Sequence, residues 1–134
     1  MAQAISRDVV IIGGGSAGIA TASSLLRRRR NLDIAIVEPS SEHYYQPGWT
    51  MVGGGVFKPV TSRPMASVMP HGATWIKAAA ASFQPDDNQV TLADGTTITY
   101  KLLIVAPGIR PARRRRSQAL PGIGQERRHL ELRL

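Results

Sequence analysis

Apolar positions in this chain gather into short unbroken runs, separated by stretches where they recur at wider spacing or without rhythm. Val9-Val10-Ile11-Ile12 and Ile34-Ala35-Ile36-Val37 are two such runs, and each reads as a strand buried on both faces. The segment between them, residues 16–30, has the composition of a crossover helix, so residues 9–37 predict one βαβ unit. Arg27, Arg28, Arg29 and Arg30 would complement the negative end of that helix, with Asn31 as its cap. They are read as a solvated helix end rather than a phosphate clamp. Residues 40–70 are rich in Gly, Pro and aromatics and keep no period, which predicts mostly loop with one short helix. From residue 73 the pattern turns to strands at 74–83, 89–93 and 96–100. A Pro85-Asp86-Asp87-Asn88 turn and an Asp94-Gly95 hairpin turn separate them. This three-stranded meander runs straight into Leu102-Leu103-Ile104-Val105, a further buried-strand run that ends on Ala106-Pro107-Gly108.

Composition narrows the chemistry. The 134 residues suffice for one domain but are few for an enzyme that must also shape a substrate site. There are no cysteines, which removes disulfides, thiolate metal sites and redox dithiols from this chain. No apolar stretch has the length of a membrane helix, and Met1 to Arg7 holds no apolar leader segment, so a cytoplasmic domain is expected. The net charge of +8 is uneven: residues 1–110 carry ten Lys/Arg against seven Asp/Glu, and residues 111–134 carry seven against two. The basicity belongs mainly to the tail.

Candidate chemistry sits in the first turn. Gly13-Gly14-Gly15-Ser16-Ala17-Gly18 follows a strand and opens a helix, the G-x-G-x-x-G arrangement of a dinucleotide site. Gly13 permits the tight turn, Gly15 lets a pyrophosphate approach the backbone, and Gly18 lets helix and strand pack closely. Ser16 and Ala17 lie in the first helical turn, where free N–H groups and the dipole favour an anion. Glu38 ends the second strand, twenty residues after Gly18 (38 − 18), where a carboxylate accepts hydrogen bonds from a ribose and repels a 2′-phosphate. NADP is therefore disfavoured. The run ending Ala106-Pro107-Gly108 could return the chain to the same cofactor, or be an ordinary core strand closed by a turn.

The order of βαβ unit, meander and Leu-Ile-Val-Ala-Pro-Gly is similar to the FAD domain of flavoproteins with two dinucleotide-binding domains. Three segments are more specific: residues 36–50 (IVEPSSEHYYQPGWT), 63–70 (RPMASVMP) and 75–78 (WIKA). Together they resemble the sulfide:quinone oxidoreductases, over residues 8–110. The resemblance implies an α/β fold, a truncated Rossmann-like FAD/NAD(P)-binding domain with an inserted three-stranded β-meander. It implies FAD as cofactor, with Gly13, Gly15, Ser16, Ala17 and Gly18 at the pyrophosphate and Glu38 at the adenosine ribose. Backbone near Ala79 and Ala80 would meet the adenine. Ala106, Pro107 and Gly108 would lie along the far side of the cofactor, and the loop carrying Pro47 near the isoalloxazine. Sulfide and quinone are substrates of the full-length family enzyme, whose reactive cysteines and membrane-binding segment lie beyond the part matched here. No residue of this chain is assigned a catalytic role, and no metal site or nucleic-acid partner is expected.

After Arg110 the matching motifs stop, and Arg113-Arg114-Arg115-Arg116 opens a basic stretch. It reads as the product of a shifted frame, or else as a disordered basic arm able to neutralise phosphates. The expected division is an incomplete FAD-binding domain over 1–110 and a tail over 111–134. The expected function is that of an N-terminal FAD-binding fragment, inactive alone, of a sulfide:quinone oxidoreductase. The alternatives are a fragment of a flavocytochrome sulfide dehydrogenase or type II NADH dehydrogenase, or a non-catalytic nucleotide- or nucleic-acid-binding module.

Overall fold

A computed structural model of the chain describes residues 4–109, so the tail reading from residue 111 lies outside the described residues. Strand β1 (Ala4–Ile12) sits in the middle of a six-stranded sheet. Helix α1 (Ser16–Arg28) crosses to β2 (Ile34–Val37), which pairs with β1 in parallel. The crossover brings the apolar faces of both strands under the helix. Val9, Ile11, Ile34 and Ile36 meet Ala22 and Leu26, while Val10, Ile12 and Val37 point to the opposite layer. This alternation is the two-residue period of a strand buried on both sides.

The first strand is longer than the four-residue apolar run, because residues 4–7 find partners at 97–100 of the last strand. The helix is shorter than residues 16–30. It is capped at Arg29, which is extended (φ −145°, ψ 94°), and not at Asn31. Asp8 and Val9 N–H groups both reach the Asp33 carbonyl, so the chain must straighten early to lay β2 beside β1.

Residues 40–70 hold more order than composition implied. Strands β3 (Glu42–Tyr44) and β4 (Ser62–Pro64) form an antiparallel pair. Short helices α2 (Gly48–Gly53) and α3 (Met65–Val68) lie between and after them. Elements this brief carry no periodicity to read.

The expected strand over 74–83 is two strands. β5 (Ala73–Ile76) pairs in parallel with β2, and β6 (Ala80–Gln84) opens the meander with β7 (Gln89–Leu92) and β8 (Thr97–Val105). The sheet order β5-β2-β1-β8-β7-β6 puts β5 and β6 at its two ends, though only residues 77–79 separate them. A flat sheet would hold those ends roughly 24 Å apart, and the four Cα steps from Ile76 to Ala80 span at most about 15 Å. The sheet must therefore curl. Its meander folds over the parallel half and encloses Val10, Ile12, Val37, Val90, Leu92, Ile98 and Tyr100. The result is an α/β fold of three layers, helix, parallel strands and meander. The turn residues Pro85–Asp87 form a 3-10 turn closed by Asn88 in the left-handed region (φ 50°), and Gly95 (φ 85°) makes the hairpin turn.

Candidate functional site

The carboxyl ends of β1, β2 and β8 meet on one rim, where an open α/β sheet takes its ligands. Gly13 turns the chain out of β1 with φ 107°, its N–H bonded to the Val37 carbonyl at 2.9 Å. A Cβ on Gly13 would collide with the Ala106 carbonyl and lie 2.9 Å from Pro107 Cα, and one on Gly18 would collide with the Gly13 carbonyl. These two glycines are closed in by backbone. A Cβ on Gly15 meets nothing within 4 Å, and Gly15 is exposed. The turn thus packs hard inward and stays open outward, on the side where the first N–H groups of α1 emerge.

Glu38 lies half-buried across the turn. Its Oε2 accepts the Gly14 N–H at 2.9 Å and its Oε1 accepts the Ser40 N–H at 2.8 Å. A carboxylate offers about four acceptor positions, so two remain for hydroxyl donors. Trp75 holds the same residue from behind, its indole N–H donating to the Glu38 carbonyl at 2.8 Å. Glu38 N–H in turn donates to the Ile76 carbonyl at 3.0 Å.

Two neighbours of Gly14 were not singled out in the sequence. His43, at the centre of β3, is buried, and its Nδ1 lies 3.0 Å from the Gly14 carbonyl oxygen. A carbonyl only accepts, so Nδ1 carries the proton and donates. Met65 is buried with its Cε 3.2 Å from the position of a Gly14 Cβ. A lone buried histidine in an irregular polar stretch gives no sequence signal.

The remaining expected residues divide. Ala106 N–H donates to the Ile12 carbonyl at 2.8 Å, which brings Ala106 and Pro107 against Gly13, and Gly108 follows with φ 72°. Ala79 and Ala80 stand beside the rim just past β5, where the Ala79 carbonyl accepts the Ala93 N–H. Pro47 caps α2 in the excursion and takes no part in the hydrogen-bonded cluster around Gly14. Ser16 Oγ is buried at the helix start without a hydrogen-bond partner among the described residues. Such an orphan at a helix N-terminus, beside an open backbone and an acid with spare acceptors, fits a dinucleotide.

The sequence profile of the family described as pyridine nucleotide-disulphide oxidoreductase matches residues 7–132. The chain is 46% identical over 103 residues to the mitochondrial sulfide:quinone oxidoreductase of Dictyostelium discoideum, covering 75% of this chain and 23% of that protein. It is 42% identical over 103 residues to the mitochondrial sulfide:quinone oxidoreductase of Mus musculus, covering 76% and 23%. The X-ray structure of the sulfide:quinone oxidoreductase from the bacterium Aquifex aeolicus superposes with a TM-score of 0.64 at 30% identity, covering 78% of this chain and 25% of that one. The chain spans about a quarter of the length of the relatives it matches.

Proposed function

The chain belongs to the pyridine nucleotide-disulphide oxidoreductase family, and we propose that its residues 4–109 hold FAD as part of a flavoprotein that oxidises sulfide and passes the electrons to a quinone. The observation that carries this reading is the contrast between Gly13 and Gly18, closed by backbone, and Gly15, open at the start of α1, where a helix leaves its first N–H groups without intrahelical partners. That contrast supports a pyrophosphate at Gly15, Ser16 and Ala17, and an adenosine ribose at the free acceptor positions of Glu38. Ala106 and Pro107 bound the site from the β8 side. Bound there, the flavin supplies the two-electron carrier, and the chain's own residues bind and orient it. Sulfide as substrate rests on the kinship with sulfide:quinone oxidoreductases. Sulfur attack needs a thiolate, and residues 1–134 contain none. On this reading the 134-residue chain alone shows no sulfide-dependent quinone reduction above free flavin.

Calorimetric titration of the folded chain tests the cofactor. FAD and ADP should bind in preference to NADP. Glu38→Arg should weaken ADP at least about tenfold, since it removes a charged acceptor and frees the Gly14 N–H. A chain folded by circular dichroism that takes up neither FAD nor ADP overturns the reading.

A further inference from the structure

We propose that His43 is a positioning residue for phosphate binding, acting through the Gly14 carbonyl to aim the Gly15 N–H into the open side of the turn. The proposal rests on the reading of that turn as a dinucleotide site. A trans peptide is planar, with its C=O and N–H pointing opposite ways, and the structure has no cis peptide bond among the described residues. Fixing the Gly14 carbonyl on His43 Nδ1 at 3.0 Å therefore fixes the Gly15 N–H in the other direction. That direction leads away from the buried imidazole, and Gly15 itself is exposed, with nothing within 4 Å of where its Cβ would lie.

The 14–15 peptide needs such a hold. Both of its flanking residues are glycines, which reach positive and negative φ with similar ease, so rotation of this peptide meets no Cβ barrier. A reversed peptide would turn a carbonyl oxygen toward the incoming phosphate and repel it. Glu38 secures only the preceding N–H, that of Gly14, and leaves the 14–15 peptide plane free. His43 holds it, and comes from outside the βαβ unit. It is carried on β3, paired through Arg63 of β4, while the Met65 N–H ties the end of β4 to the Ser41 carbonyl at 2.7 Å. The excursion over residues 40–65 thus reaches back to set the geometry of the phosphate turn.

The test compares His43→Asn, His43→Gln and His43→Leu in the full chain, titrated with ADP and melted without ligand. An asparagine amide nitrogen superposes on Nδ1, whereas glutamine places its amide one bond further, near Nε2. We expect Asn to keep ADP affinity within about threefold of the parent, and Gln and Leu to lose about tenfold, the cost of one unpaired buried carbonyl. If Leu does not fold, the Asn and Gln pair decides. A purely structural histidine would rank all variants by melting temperature, and affinity would follow that rank. Equal ADP affinity of parent and Gln, or equal loss in Asn and Gln, overturns the proposal. Failure of the parent itself to bind ADP overturns the dinucleotide reading, and this one with it.

Discussion

Three consecutive glycines occur twice in this chain, at 13–15 and at 53–55, and the two triplets serve different ends. In the first, Gly13 and Gly14 are hemmed by Ala106, Pro107, Glu38 and Met65, and the peptides are held by Val37, Glu38 and His43. In the second, Gly53 and Gly55 have no neighbour for a Cβ, and Gly54 meets only carbonyls of its own helix at 3.5 and 3.8 Å. Gly54 N–H closes on the Thr50 carbonyl and Gly55 N–H on that of Val52, with Gly55 at φ 74°. That is a helix end. Around it Tyr45, Phe57 and Val60 stay exposed. A glycine triplet can cradle a ligand only where tertiary neighbours crowd one side and leave the other open, as they do at 13–15 and not at 53–55.

The comparison breaks most sharply at Gly13. Gly13→Ala combines a left-handed φ with a backbone collision, and should destabilise by about 3 kcal/mol or more in urea melts. Gly15→Ala should leave stability within about 0.5 kcal/mol yet weaken ADP binding in calorimetry, because its methyl projects into the open side. Gly54→Ala has φ −81° and ordinary contacts, so its melting midpoint should rise slightly, by no more than about 1 kcal/mol of stability. The hairpin glycine, Gly95, extends the comparison to a turn held by its own neighbour, since Asp94 accepts the Thr96 N–H at 2.9 Å. That bond holds the Asp94 carboxyl below its ordinary range. A depressed pKa means the unfolded chain binds the proton more readily, so the contribution is complete above about pH 4 and fades as pH falls below it. Asp94→Asn should cost a little stability at neutral pH, and the difference from the parent should shrink as pH falls below about 4, read from paired melts.

Much of this was legible in residues 8–38 and 89–105, where apolar runs are unbroken and each turn has its own chemistry. The Rossmann-like fold and the meander follow from those runs. The division of residues 74–83 was not legible, because β5 is fixed by pairing with β2, and nothing local distinguishes a strand that stops at Ile76 from one that continues. Of the four elements within residues 40–70 only one short helix was expected, and the strand pair β3–β4 was missed for the same reason. Gly15 and Glu38 announced themselves by spacing. Gly14 stood as an unspecified position between two meaningful glycines, although it gathers Glu38, His43 and Met65 around it.

The place of β1 at the centre of the sheet has a bearing on synthesis. One flank is closed by β2 within the first forty residues, but the other waits for β8, whose Lys101 binds Asp8 across 93 positions of sequence. At roughly 5–20 residues per second, the ribosome leaves that flank bare for several seconds. During that interval Val10 and Ile12 lack the layer that later covers them. The nascent chain is therefore most open to chaperones, and to mispairing with other copies, after the Gly13–Gly15 turn has formed and before the last strand emerges.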